Sequence, residues 1–148
     1  MVPIKDLYFS TLLGRSVLDA AGEKVGRLKD LVCEPDGGTY PRVLCLVVQS
    51  GKRERWYDAY QLQTLTPKLV ALKVPGRLET QKRVQGLFLA RDLLDKQVVD
   101  VHGAKVVRVN DLQLTAVGGE VHLVAIDISF RGLLRRLGLE RWASGLPR

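Results

Sequence analysis

The sequence predicts a mainly β fold made of two small antiparallel modules in tandem, the second incomplete and ending in a short amphipathic helix. Three observations predict it: an internal repeat at a spacing of 81 residues, short Val- and Leu-rich runs between glycine turns, and a different ending to each copy. The composition, 46% hydrophobic and 26% charged, is typical of a globular protein. We place the first module at 1–75, a linker at 76–86 and the second module at 87–148.

The repeat is the strongest of these observations. Residues 13–31 overlay residues 94–112 in one ungapped register, and nine of the nineteen positions are identical. Extending the first segment to residue 46 gives twelve identities over thirty-four positions. Self-similarity at a fixed spacing indicates that one structural unit occurs twice.

The repeated residues are those that a β-hairpin requires. Asp19 and Asp100 each stand three positions before a glycine, Gly22 and Gly103. The carboxylate can accept hydrogen bonds from local backbone N–H groups, and the glycine can adopt positive φ. We therefore predict that each module opens with the same hairpin and that both glycines have positive φ. An acid–base role for the two aspartates is the alternative, which their turn position disfavours.

Further strands follow each hairpin. Glycine pairs mark a second turn, and apolar strands follow at 42–49 and 120–129. The first module continues with a strand at 53–59, a helical or turn stretch at 60–65 and a closing strand at 68–74. Five or six short strands with little helix predict a small barrel.

The second module ends in a basic segment at 131–138. Its three leucines share one helical face and a glycine caps its end, so we expect about two turns of amphipathic helix. Residues 131–148 hold five arginines and one glutamate, which is +4 of the net charge of +7. Such a face is either simply solvated or a footprint for nucleic acid, an acidic partner or a membrane surface. The candidate interaction residues in this segment are Arg131, Arg135 and Arg136.

The second module lacks residues for its closing strands. An open meander would expose unpaired strand edges, which folded proteins cover or pair. The missing strands must come from the first module, from a second copy of the chain or from residues beyond 148. We therefore expect a homodimer or a fused pseudo-two-fold pair, with residues 120–130 buried in the contact.

A polar pair also recurs in the repeat, as Arg27 with Asp30 and as Arg108 with Asp111. Residues three apart on an ideal strand point to opposite faces, so direct pairing requires a bulge. The alternative is that each side chain braces a neighbouring loop. All four are candidate interaction residues.

Two further residue pairs have more than one interpretation. Trp56 and Tyr57 stand beside three basic residues, which predicts either a surface that stacks on RNA or an inward Trp and an outward Tyr in a packed strand. Cys33 and Cys45 lie symmetrically about residue 39, so a hairpin centred there would place them opposite each other. They are otherwise two buried free thiols.

The sequence contains no motif for catalysis. The phosphate-binding loop, the serine nucleophile elbow, the zinc-protease helix and Cys-x-x-Cys are all missing, and the two histidines lack ligand spacing. We therefore predict no enzymatic activity, no cofactor and no metal site. No apolar run approaches the roughly 20 residues that a membrane helix needs, and residues 7–13 make a poor signal peptide, so we expect a cytoplasmic protein without a transmembrane segment.

The order Leu-Leu-Gly-Arg-x-Val-Leu-Asp-x-x-Gly-x-x-Val-Gly-Arg-Leu-x-Asp, from Leu12 to Asp30, resembles the opening hairpin of the PRC-barrel family. The resemblance covers residues 8–75 and, less completely, 87–130. The family's domain occurs in the H subunit of photosynthetic reaction centres and in the ribosome-maturation factor RimM.

The tandem arrangement followed by Arg-Gly-Leu-Leu-Arg-Arg-Leu-Gly also resembles the leading segment of bacterial proteins that continue into a magnesium-transporter amino-terminal-like domain and CBS domains. This resemblance implies a non-catalytic protein-interaction or regulatory module, the input region of a magnesium-linked assembly. The alternative is an RNA- or ribosome-associated maturation factor. The identity of the protein partner is not implied.

Overall fold

The computed structural model describes residues 7–35, 39–99, 106–117, 119–128 and 134–136. Within these residues the fold is mainly β, as the sequence predicted. The strands are β1 (Leu7–Tyr8), β2 (Ser16–Leu18), β3 (Lys24–Cys33), β4 (Val43–Ser50), β5 (Arg53–Asp58), β6 (Leu62–Leu65), β7 (Val70–Leu72), β8 (Leu87–Phe88), β9 (Gln97–Val99), β10 (Val106–Val117), β11 (Glu120–Ile128) and β12 (Leu134–Arg136).

The strands form two sheets, neither of which closes on itself within the described residues. The first sheet has the order β5-β4-β3-β2-β7-β6, and β8 also pairs with β3. The second sheet has the order β1-β10-β11-β12, and β9 also pairs with β10. Among the described strands, every pair is antiparallel except β2 with β7. The sequence predicted antiparallel modules and missed this parallel pair.

The predicted opening hairpin is present in the first sheet. β2 and β3 pair antiparallel, with Val17 opposite Gly26. Gly22 has a φ of +81°, which confirms the predicted left-handed turn position. Gly103 and Asp100, the equivalent turn of the second copy, lie outside the described residues.

The two halves of the chain exchange short strands. β1 precedes the first hairpin but pairs with β10 of the second sheet, with Leu7 opposite Leu114. β8 precedes the second hairpin but pairs with β3 of the first sheet, with Phe88 opposite Val32. Each sheet therefore includes a strand from the other half of the chain.

One continuous apolar core links the two sheets. It includes Leu46 and Tyr57 of the first sheet, Leu112 and Ile126 of the second, and Phe9 from the 3₁₀ turn that follows β1. A second, smaller cluster on the outer face of the first sheet consists of Val32, Cys45, Val47 and Trp56. Burial of apolar area between the sheets is the main stabilisation that the exchange provides.

The residues between the predicted modules are bound to the first sheet. Gly76–Leu78 form a 3₁₀ turn, and the carbonyl of Gly76 accepts hydrogen bonds from Arg55 and Tyr57. Further along, the Thr80 N–H donates to the Trp56 carbonyl at 2.7 Å. These contacts cover the outer edge of β5, a strand edge that would otherwise be unpaired.

Two local predictions were wrong. The short helical or turn stretch expected near 60–65 is a 3₁₀ turn only as far as Gln61, and the rest is the strand β6. The helix expected at 131–138 is contradicted at Leu134–Arg136, which pairs with β11 as β12. The open edge of β11 supplies backbone partners there, and this tertiary pairing outweighs the local helical pattern.

Candidate interaction surfaces

Asp30 and Asp111 fasten each sheet to the turn that it receives from the other half of the chain. The Asp30 carboxylate accepts hydrogen bonds from the backbone N–H groups of Ala90 at 2.7 Å and Arg91 at 3.1 Å. The Asp111 carboxylate accepts the Ser10 N–H at 3.0 Å and also the Ser10 hydroxyl. The two carboxylates therefore hold equivalent turns, and we call these two sets of hydrogen bonds the Asp30 clasp and the Asp111 clasp.

The Asp30 clasp is buried. Desolvation raises the pKa of this carboxyl above its ordinary value, although hydrogen bonds from the N–H groups of Ala90, Arg91 and Leu31 act in the opposite direction. A buried carboxylate that accepts three N–H bonds has its acceptor positions occupied by the fold. It is placed to hold a turn.

Arg27 and Arg108 brace a different loop. Arg27 donates to the Gly14 carbonyl at 2.9 Å, and Arg108 pairs with the Asp95 carboxylate at 3.2 Å. Gly14 and Asp95 are equivalent in the repeat, and both have positive φ, +79° and +62°. Neither arginine pairs with the aspartate three residues later, even though the β3–β4 register shifts between Leu28 and Asp30.

Asp19 has the turn-capping geometry predicted for it. Its carboxylate accepts the N–H groups of Ala21 at 2.9 Å and Glu23 at 3.0 Å, and also that of Gly76 at 3.0 Å. The Gly76 hydrogen bond is the main reason that the pKa of Asp19 lies below its ordinary value. This carboxylate therefore joins the first hairpin to the 3₁₀ turn at Gly76–Leu78.

The predicted arginines of the basic segment are described only in part. Arg135 and Arg136 lie in β12 with their backbones opposite Ile126 and Ala125. Arg131 lies outside the described residues.

Trp56 and Tyr57 occupy opposite faces of β5, and both are buried. Tyr57 lies in the main core, where its hydroxyl donates to the Gly76 carbonyl at 2.5 Å. Trp56 is only 4% exposed and belongs to the smaller cluster on the outer face. The outward Tyr of the packing prediction was wrong, because the main core lies on that face of the sheet.

Cys33 and Cys45 are free thiols that do not face each other. Cys33 is opposite Val43 and Cys45 is opposite Val32, because the register shifts between Val32 and Cys33. The two side chains lie in the main core and the smaller cluster respectively. Burial raises the pKa of the Cys45 thiol to about 11, which makes it unreactive near neutral pH.

A groove of about 300 Å³ opens where the two sheets meet, and we call it the junction groove. Tyr60 stands at this groove with 73% of its surface exposed. The residues lining it include Arg42, Cys45, Asp58, Tyr60, Glu120 and Val121.

An ion pair and a hydrogen bond join the two halves of the chain beside this groove. Arg42 of the first half lies 3.1 Å from Glu34 and 2.8 Å from Glu120 of the second half. His122 donates from Nδ1 to the Tyr40 carbonyl at 2.8 Å. The hydrogen bond from Arg42 lowers the pKa of Glu120. Sequence reasoning missed this network, because Arg42 and Glu120 are 78 positions apart and no local pattern connects them.

A second, larger cleft of about 650 Å³ lies over the smaller cluster, and we call it the aromatic cleft. Trp56 and Phe88 meet there edge to face with ring centroids 5.7 Å apart. The guanidinium carbons of Arg83 and Arg91 lie 4.9 Å and 3.8 Å from the centroids of Trp56 and Phe88. The residues lining the cleft include Pro35, Glu54, Trp56, Arg83, Phe88 and Arg91.

The sequence analysis singled out Trp56 but missed its neighbours in the aromatic cleft. Arg83 lies in the segment assigned as a linker, and Phe88 belongs to a strand of only two residues. The available signal was three basic residues around one aromatic residue, Phe88, between 82 and 91.

Metal sites and membrane-spanning helices are two other features for which the described residues are relevant. No group of three or more His, Cys, Asp or Glu side chains in this part of the chain could hold a metal ion. No helix among the same residues is long and apolar enough to cross a membrane.

Comparison with known families finds that residues 5–76 match the PRC-barrel domain. This match confirms the resemblance predicted for the first half of the chain. Comparison with curated proteins finds no match.

Proposed function

We propose that this chain is a non-catalytic protein-interaction module whose partner docks at the junction groove. The observation that carries the proposal is a groove whose walls come from both sheets and at which Tyr60 is largely exposed. Exposed tyrosines beside a concave surface are typical anchors of protein interfaces. The Arg42–Glu120 ion pair and the hydrogen bond from His122 to the Tyr40 carbonyl join the two walls beside the groove.

The positions of the carboxylates support a non-catalytic role. Asp19, Asp30 and Asp111 accept backbone hydrogen bonds that hold turns and exchanged strands. A general base must have a free acceptor aimed at a substrate proton. These side chains instead maintain the scaffold.

The tandem arrangement resembles the leading segment of bacterial magnesium-linked proteins, and we therefore extend the proposal to a regulatory role. We propose that residues 87–148 form a second PRC-barrel-like module, and that the chain is a cytoplasmic input region of a magnesium-linked assembly in bacteria. Equivalent bonds support the repeat: the N–H of Gly14 donates to the Leu28 carbonyl and that of Asp95 to the Val109 carbonyl, both at 2.8 Å.

Self-association remains part of the proposal. The contacts support the fused pseudo-two-fold alternative, because β11 is covered by β12 at 125–127 and by a bridge between Arg42 and His122. Since β11 is covered within the chain, we propose another edge for self-association: β6, which ends the first sheet and pairs only with β7 among the described strands. Light scattering over a concentration series should show a dimer that Gln63→Lys weakens, since a charge on an edge strand opposes pairing. A strict monomer at every concentration would contradict self-association.

Affinity capture with the tagged chain tests the main proposal. We expect a retained protein whose capture falls about tenfold or more with Tyr60→Ala, because tyrosine anchors contribute roughly 2 kcal/mol or more. Leu69→Ala, which changes another exposed apolar residue outside the groove, is the matched control. Equal capture by both variants would contradict docking at the groove.

The RNA- or ribosome-associated alternative gives a different result in the same experiment. Its support is the basic charge, +4 of the total +7, in residues 131–148. If RNA is retained instead of protein and binding weakens steeply with salt, the alternative holds.

A further inference from the structure

The aromatic cleft contains a cation, Arg83, that forms no direct ion pair among the described residues and interacts with Glu54 only at longer range. Arg91 is paired with Asp92 at 2.9 Å, and Glu54 is paired with Lys29 at 2.6 Å. Among the described residues, no carboxylate lies within ion-pair distance of Arg83. The unmatched charge in the cleft is therefore positive.

Arg83 is held in a geometry suited to receiving an anion. Its guanidinium lies over the ring of Trp56, and that ring is fixed in the smaller cluster beneath. A guanidinium stacked on an aromatic ring keeps its N–H edges free for a carboxylate or phosphate. Stacking also reduces the conformational entropy that the side chain would lose on binding.

The aromatic rings themselves are not available for stacking by a ligand. Arg83 covers Trp56, Arg91 covers Phe88, and the rings meet edge to face. Single-stranded RNA binds such clefts by stacking its bases on open aromatic faces. The cleft instead presents guanidinium groups, and Pro35 and Val84 are among its apolar lining residues.

We infer that the aromatic cleft binds an acidic peptide segment of a protein partner, with a carboxylate on Arg83 and an apolar side chain between Pro35 and Val84. This inference rests on the proposed protein-interaction function and names a second surface and the chemistry of its ligand. An extended peptide of alternating acidic and apolar residues presents both groups.

Nuclear magnetic resonance provides the test, with an octapeptide of alternating glutamate and proline as the probe. The indole N–H resonance of Trp56 should shift and saturate as peptide is added. The same peptide with glutamine in place of glutamate should bind about tenfold or more weakly, because a charge-assisted hydrogen bond is lost. Arg83→Gln should weaken binding of the acidic peptide similarly.

Arg77→Gln is the matched control, because Arg77 is an exposed arginine that does not line the cleft. It should leave the affinity for the acidic peptide unchanged. Equal binding to wild type and Arg83→Gln, or no shift of the Trp56 resonance at millimolar peptide, would overturn the inference. So would an oligouridylate that displaces the peptide and needs Arg83, because the cleft would then bind nucleic acid.

The outcome is separable from that of the proposed function. A captured partner that is insensitive to Arg83→Gln but sensitive to Tyr60→Ala would overturn the cleft inference and leave the proposed function intact. Saturable peptide binding at Trp56 in a chain that captures no protein through the junction groove would overturn the proposed function and leave the cleft inference intact.

Discussion

Among single residues, two aspartates of this fold lie in environments that shift their pKa values in opposite directions. Asp19 is a turn cap whose pKa is lowered by backbone hydrogen bonds, first that of Gly76. Asp30 is a clasp whose pKa is raised by burial. The sequence predicted the Asp19 turn because its hydrogen bonds are local. It left the Asp30 role open, because the donors at Ala90 and Arg91 are about sixty residues away.

Asp19→Asn should change how stability depends on pH. Because the folded pKa of Asp19 is below its unfolded value, the unfolded chain binds the extra proton between the two, and the stabilisation is lost as pH falls through the folded pKa. Urea unfolding from pH 7 downward should show a shallower loss of stability for the variant than for wild type. Equal slopes would contradict a special role for this carboxylate.

Asp30→Ala should destabilise the chain, because the N–H groups of Ala90 and Arg91 would lose their acceptor. These hydrogen bonds are only part-buried, so we expect a loss of about 1 kcal/mol or more, which urea unfolding measures. Glu23→Ala, at an exposed turn position, is the control and should have little effect. The folded pKa of Asp30 is raised above its unfolded value. The stabilisation that comes from protonating this carboxyl is therefore present at acid pH and is lost as pH rises through the folded pKa.

At the scale of elements, hairpins were predictable and exchanged strands were not. The Asp-x-x-Gly turn and the runs of Val and Leu locate β2, β3 and β4 closely. β1 and β8 have two residues each, too few for a periodic pattern, and their partners lie in the other half of the chain. The helix prediction for 131–138 was wrong for a related reason. The leucines there fit a helix locally, but pairing with the edge of β11 determines the structure at 134–136.

Gly86→Ala should displace β8 from the first sheet. A Cβ at Gly86 would lie 2.2 Å from the Cys33 carbonyl oxygen, a distance that the backbone of β3 cannot accommodate. We expect a loss of stability of about 1–3 kcal/mol from the forced shift, together with faster amide exchange at Leu87 and Phe88. Gln85→Ala, at the exposed neighbouring position, is the matched control. Unchanged exchange in Gly86→Ala would show that this close approach is not required.

At the scale of the whole molecule, strand exchange turns two small sheets into one unit. A module of about 70 residues buries only about 60% of its unfolded surface and is marginally stable alone. Here the main core contains residues of both sheets, and clasps at Asp30 and Asp111 hold each exchanged turn. The sequence predicted the need to cover open edges. The edges are covered by reciprocal strand exchange within one chain. This exchange depends on three-dimensional contacts that the repeat alone does not specify.

We expect the two sheets to fold and unfold together, because each contains a strand from the other half of the chain. Native-state amide exchange in increasing urea measures this most directly, by comparing β3 and β4 with β10 and β11. We expect the slowest amides of both sheets to share one free energy of opening, and Asp30→Ala and Asp111→Ala to lower it in both sheets equally. If β10 and β11 exchange through an opening well below the global free energy while β3 and β4 stay protected, the sheets are independent and the claim is wrong.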